Sequence, residues 1–145
     1  MVGGALMEFY TEEIPLRTSK RLELIDVTSR VSEVLKSSGI GNGILNVFSR
    51  HSTSAIFINE NETRLTGDVE SILKTLVPED SSYGHNIIDN NADSHLRAVL
   101  LGGSQTVPVI NGSLDLGTWQ SIFFAEFDGP RNRKIRVSVA GKPME

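Results

Sequence analysis

Two rhythms of apolar and polar positions succeed one another along the chain. Residues Leu6 to Ile14 carry an extended, strand-forming pattern that Pro15 is expected to close. At Arg21 to Ile25, Leu22 and Leu24 alternate with Arg21 and Glu23, the two-residue period of a half-buried strand. The period then becomes helical. Val27, Val31, Val34 and Leu35 recur at helical spacing behind the cap candidate Asp26, and Gly39 and Gly41 stop the run. Strands are expected again at Gly43 to Phe48 and Ala55 to Asn59, the second β-branched and aromatic enough to be buried on both faces.

A second helix is predicted from about Arg64 to Leu76. Leu65, Val69, Ile72, Leu73 and Leu76 fall on one stripe, Glu70 stands four residues before Lys74, and Pro78 lies beyond the end. From Pro78 to Asn91 the chain is polar and turn-rich, a length of loop that in a compact domain usually serves function. A shorter helix, Ala92 to Leu101, is expected to turn Leu96, Val99 and Leu100 toward the core and to end at Gly102 and Gly103.

Three strands follow: Gln105 to Ile110, placed near an edge because Pro108 cannot donate to a ladder, then Trp119 to Phe127, then Lys134 to Ala140. In the last, Ile135, Val137 and Val139 alternate with Lys134, Arg136 and Ser138, which predicts one buried and one wet face. Tight turns are expected at Asn111 to Ser113 and Asp128 to Pro130. Strands at both ends with about three helices between them point to an α+β fold on a mixed, largely antiparallel sheet or sandwich.

At 145 residues the chain fits one domain, residues 1–145, with 39% hydrophobic and 22% charged residues. A net charge of −4 and a pI near 5.4 give no general attraction to nucleic acid or to an anionic membrane. Cysteine is absent, which excludes disulfides, thiolate nucleophiles and sulfur-bound metals; any metal must be held by nitrogen and oxygen. The first fifteen residues have no basic stretch and their apolar run is broken by Glu8, so neither a secretory signal nor a membrane span is expected, and the reading is cytoplasmic.

Candidate chemistry begins with His51, His85 and His95, each set among small polar residues at the border of an element. Imidazole is a common metal ligand and the readiest proton carrier near neutral pH, so the three are candidates for one site. Their spacings of 34 and 10 residues match no local metal motif, and three independent, hydrogen-bonded surface histidines fit the pattern as well. Alternation puts Glu60 at the end of the apolar face of Ile56 and Ile58. There a carboxylate can act as general base, or simply mark a strand end dipping into solvent. Asp68 is an acid early in its helix, where it would also favour the positive helix end. Arg131 and Arg133, beside the Asp128 to Pro130 turn, offer planar forks suited to phosphate, or they keep a hairpin edge soluble. Trp119 and Gln120 read as a core anchor with a polar neighbour.

The segments HSTSAIFINEN (51–61), Asp68, Pro78 with YGH (83–85), SHL (94–96), GSxxxPV (103–109), LGTWQ (116–120) and DGPRNR (128–133) occur in an order that resembles the YjbQ family, also called the secondary thiamine-phosphate synthase enzyme family. The similarity runs from about Phe9 to Gly141, and HSTSA, SHL and GTWQ together are far more specific than any one alone. The resemblance implies a compact α+β homotrimer. It implies that His51, His85 and His95 take metal-ligand positions in a pocket near a subunit boundary, for a divalent metal with zinc the expected ion. It also places Glu60 and Asp68 at acidic motif positions, as catalytic candidates, and Trp119, Gln120 and Arg131 in the C-terminal signature, as substrate-binding candidates. Weak thiamine-phosphate synthase activity, the displacement of pyrophosphate from hydroxymethylpyrimidine diphosphate, is implied for some members. The phosphate role of Arg131 and Arg133 rests on guanidinium chemistry rather than on the resemblance. Two other functions stay open: a metal-dependent hydrolase in which Glu60 assists a metal-bound water, and a trimeric phospho-metabolite-binding or scaffold protein with a structural metal.

Overall fold

The computed structural model describes residues 6–79 and 82–145. The described residues form eight strands and three α-helices: β1 Glu8–Arg17, β2 Glu23–Asp26, α1 Thr28–Ser38, β3 Ile40–Ser49, β4 Ser54–Glu60, α2 Thr63–Leu76, α3 Ala92–Leu101, β5 Ser104–Ile110, β6 Ser113–Leu114, β7 Gln120–Glu126 and β8 Asn132–Pro143. A 3-10 turn, Gly84–Ile87, lies inside the polar stretch read as loop. All strand pairs are antiparallel. They form a five-stranded sheet ordered β1-β8-β3-β5-β6 and a three-stranded sheet ordered β2-β7-β4. The α+β expectation holds, with two antiparallel sheets.

Alternation decides which layers meet. Leu45, Val47, Val107, Val109, Ile135, Val137 and Val139 of the large sheet pack against Ile56, Ile122 and Phe124 of the small one, and α1 adds Val31, Val34 and Leu35 to the same core. The other face of the small sheet presents Ala55, Phe57, Phe123 and Ala125 to Leu73 of α2 and Ala98 of α3. Phe57 and Phe123 stack there at 4.8 Å. The order of layers is therefore large sheet, small sheet, then α2 and α3.

Several local expectations are corrected. Pro15 does not end β1, which continues to Arg17. β1 has a ladder partner on one side only, so a residue without an N–H is tolerated there. Asp26 does hold the start of α1, its Oδ1 accepting from the Thr28 N–H at 2.9 Å and from Thr28 Oγ1 at 2.6 Å, although the cap position itself is Val27. Gly39 takes the left-handed conformation at φ 69° that ends the helix. The predicted turn at Asn111 to Ser113 is tight and opens into the short strand β6, whose two residues are too few to show a period.

The largest correction concerns α3. Its core-facing residues are Ala92, Asp93, Ser94, Arg97 and Ala98, whereas Leu96, Val99 and Leu100 face outward, Val99 at 78% exposure. Asp93 is fully buried and receives two bonds from Arg21, at 2.9 and 3.0 Å, while Arg97 lies 3.3 Å from the same carboxylate. Arg97 also donates to the Val77 carbonyl through Nε and Nη2, at 3.2 and 2.8 Å. A fully paired charge network thus fastens the helix, and its apolar residues are left on the surface. α2 follows suit in part: Leu73 is buried, but Ile72 and Leu76 are exposed.

Candidate functional site

The polar stretch before α3 and the first turn of that helix bring two of the three histidines together. The rings of His85 and His95 stand 4.9 Å apart, centre to centre, at 77° to one another. They line a cleft of about 410 Å³ with Tyr83, Gly84, Ala92 and Leu96. Two imidazoles bound to one tetrahedral ion through nitrogens about 2.0–2.1 Å from it would place their ring centres about 5 Å apart, close to the spacing of this pair.

His51 is not in that cleft. It follows β3, and its Nε2 accepts the Lys134 N–H at 3.1 Å. Burial first, and then the positive charge of Arg133, hold its imidazole below the ordinary value. Its neighbour Thr53 is tied to the cleft side: the Thr53 carbonyl accepts from the Phe127 N–H at 3.1 Å, and the Phe127 carbonyl accepts from Ser94 Oγ. Among the described residues, no three His, Cys, Asp or Glu side chains of one chain are gathered closely enough to hold a metal. The expected three-histidine cluster is therefore present in one chain only as a pair, with His51 on the neighbouring strand connection.

Asn91, Asp128 and Arg131 continue from His85. His85 Nε2 and Asn91 Oδ1 are 3.1 Å apart, Asn91 Nδ2 donates to Asp128 Oδ2 at 2.9 Å, and Arg131 donates to Asp128 through Nη2 at 3.1 Å and through Nε to its carbonyl at 2.8 Å. Arg131 is half exposed, with Nε and Nη2 both engaged by Asp128. Arg133 is buried. Its side chain is 5% exposed, with Nε on Glu126 Oε1 and Nη2 on both Glu126 Oε2 and Thr53 Oγ1. Its assignment to phosphate is corrected to an interior ion pair that fastens β8 to β7.

The remaining candidates collect elsewhere. Glu60 and Gln120 pair at one end of the β4–β7 ladder, and Trp119 precedes Gln120. Ser54 and Glu126 pair at the other end, near His51 and Arg133. Seven residues of strand separate the two ends by about 20 Å, so one chain does not unite Glu60 with the imidazoles. Glu60 is half-buried on the Ile56 and Ile58 side, as alternation placed it. Trp119 is 73% exposed, which overturns its reading as a core anchor, and Gln120 Oε1 accepts from the Gly117 N–H at 2.8 Å. Asp68 is exposed on α2. Asn91 and Asp128 escaped the sequence reading as site residues because Asn91 stands at a helix start and Asp128 in a turn, where both residue types are expected for backbone reasons alone.

The sequence profile described as UPF0047 protein, YjbQ-like, matches residues 12–142. A UPF0047 protein of Methanothermobacter thermautotrophicus is 81% identical over 143 residues, covering 99% of this chain and 100% of that protein. The UPF0047 protein YugU of Bacillus subtilis is 37% identical, covering 88% of this chain and 97% of the relative. Among solved structures, a protein of unknown function from Sulfolobus solfataricus P2, described as YbjQ-like, superposes with a TM-score of 0.93 at 42% identity over 94% of this chain and all of that one. A hypothetical protein from Aeropyrum pernix K1 gives a TM-score of 0.89 at 39% identity, covering 92% and 99%.

Proposed function

Taking as premise that the chain belongs to the YjbQ-like UPF0047 family, we propose that it is a metal-dependent enzyme acting on a phosphorylated small molecule, with weak thiamine-phosphate synthase chemistry. The observation that carries the proposal is the perpendicular His85–His95 pair, 4.9 Å between ring centres, on the wall of a cleft. His85 and His95 would hold a divalent ion, zinc by preference of imidazole ligands; His51, assigned to the same ion, lies outside the cleft of its own chain and would reach it only from a neighbouring subunit. When bound, the ion would supply a Lewis acid for negative charge developing on phosphoryl oxygens.

In the reaction proposed, the thiazole nitrogen attacks the pyrimidine methylene carbon as the carbon–oxygen bond to diphosphate breaks, and pyrophosphate leaves with the electron pair. What this chain must supply is positive potential beside the leaving group. Arg131, half exposed and joined to His85 through Asp128 and Asn91, is suited to that. Lys134 and Arg17, with Asn132 and Arg133, line a separate groove of about 280 Å³. The Glu60-assisted hydrolase reading gains no support within one chain, because Glu60 stands at the far end of the β4–β7 ladder.

Assembly as a homotrimer belongs to the same proposal. Ile72, Leu76, Ile87, Ile88, Val99 and Leu100 leave an apolar surface on the helix side of the molecule. Phe9, Ile44 and Ile110 leave another on the outer side of the large sheet. Two different apolar surfaces on opposite layers suit head-to-tail contacts that close into a ring. Among the described residues no helix is long and apolar enough to cross a membrane.

The test is pyrophosphate release from hydroxymethylpyrimidine diphosphate with thiazole phosphate as acceptor. His85→Ala and His95→Ala, with unchanged circular dichroism, are expected to abolish it. Release at the wild-type rate in both variants would contradict the proposal.

A further inference from the structure

Asn91 occupies the N-cap position of α3, where an asparagine side chain ordinarily accepts a backbone N–H of the first turn. Here it makes no such bond. The Ala92 N–H at that helix start is taken instead by Asn86 Oδ1 at 3.1 Å, and the Asn91 amide is turned toward Asp128 and His85. Asn91 is buried, so its amide is confined to these partners.

The direction of the hydrogen bonds follows from which groups can only accept and which can only donate. Asp128, ion-paired to Arg131 at 3.1 Å, presents a carboxylate, and a carboxylate accepts only. The Asn91 NH2 must therefore face Asp128, at 2.9 Å, which turns Oδ1 toward His85. An amide oxygen also accepts only, so the proton in the contact of 3.1 Å resides on His85 Nε2. In the neutral ring the other nitrogen, Nδ1, then carries the lone pair. Arg131 adds a second bond from Nε to the Asp128 carbonyl, which fixes the acid in place.

We propose that Arg131, Asp128 and Asn91 form a polarised relay that holds His85 in the Nε2–H tautomer, so that Nδ1 is the atom His85 offers to a ligand in the cleft. Asn91 and Asp128 are positioning residues in this scheme, and Arg131 is their anchor. A metal-ligating histidine is oriented in the same manner by a partner on its far nitrogen. The last step, that the ligand is a metal ion, rests on the reading given under Proposed function. The tautomer itself does not.

The experiment is long-range proton–nitrogen correlation NMR on metal-free, 15N-histidine-labelled protein at about pH 8.5, above the usual imidazole range. His85 is expected to show a protonated Nε2 and an unprotonated Nδ1. Asp128→Asn, which replaces an obligate acceptor with a group that can face either way, and Asn91→Leu are expected to give a mixture of the two tautomers at His85 while leaving that of His51 unchanged. His85 as the Nδ1–H form in the wild type, or a tautomer unmoved by both substitutions, would overturn the relay. Zn2+ is then titrated into the same samples. Perturbation of the Nδ1 signal, with Zn2+ affinity about 10–100-fold weaker in Asp128→Asn, is the expected result. An Nε2–H tautomer that depends on Asn91, in a protein whose ring signals ignore Zn2+, would uphold the relay and refute the metal reading. Perturbation at Nε2 instead of Nδ1 would refute the relay.

Discussion

The guanidinium of Arg133 lies against the carboxylate of Glu126 in the interior, Nε donating to Oε1 at 2.8 Å, with Glu126 fully buried and also accepting from Thr18 Oγ1 at 2.8 Å. Removing one charge of such a pair leaves the other buried without compensation, at a cost of about 3–5 kcal/mol. Glu126→Gln should therefore lower the urea midpoint strongly with little change in slope. An unchanged midpoint would mean that the pair adds nothing to the fold.

The same pair contributes to pH dependence. Burial works to raise the carboxyl of Glu126, but the bonds from Arg133, the Asp128 N–H and Thr18 outweigh it and hold the group below its ordinary value. Asp93 is held low in the same way, burial opposed by Arg21 and Arg97. A carboxyl depressed on folding stabilises above its unfolded pKa, and that stability is lost as pH falls through the folded value. His51 is also depressed, by burial and then by Arg133, so its protonation below about pH 6.5 disfavours the folded state. Melting temperature should be level above neutrality, slip below about pH 6.5 and fall steeply below about pH 4. A melting temperature constant down to pH 3 would contradict this.

Val99 tests the assembly. It is 78% exposed, so Val99→Glu should leave folding within about 0.5 kcal/mol of the wild type. Light scattering after gel filtration should find a trimer in the wild type and smaller species in the variant. A wild-type monomer would remove the assembly from the proposal.

Trp119 offers a contrast. Replacing a core tryptophan by alanine costs about 3–5 kcal/mol. At 73% exposure, Trp119→Ala should cost less than about 1 kcal/mol. A larger loss in thermal unfolding of the isolated chain would restore it to the core.

The strands were legible because burial on one face imprints a two-residue period. The same period, carried two residues back from Ile135, Val137 and Val139, places Arg133 on the buried face, and Glu126 shares the parity of Ile122 and Phe124. Their buried pairing is thus present in the pattern, although guanidinium chemistry alone suggests phosphate or a soluble hairpin edge for Arg133. α3 was misread for a different reason. A helical stripe of Leu96, Val99 and Leu100 implies a buried face only if the burying surface belongs to the same chain. Asp93 and Arg97 face inward because Arg21 and the Val77 carbonyl, distant in sequence, satisfy them. The proximity of His85 to His95 likewise depends on how a polar connection folds against a helix start, for which periodicity carries no signal.

The His85–His95 pair is the centre of the functional proposal, and metal content measures it most directly. Protein purified without a tag or added metal is analysed by inductively coupled plasma mass spectrometry beside His85→Ala and His95→Ala. The expected result is about one divalent ion per chain in the wild type and its loss in both variants. A wild type without metal that also fails to take up Zn2+, or two variants that keep the ion, would contradict the assignment.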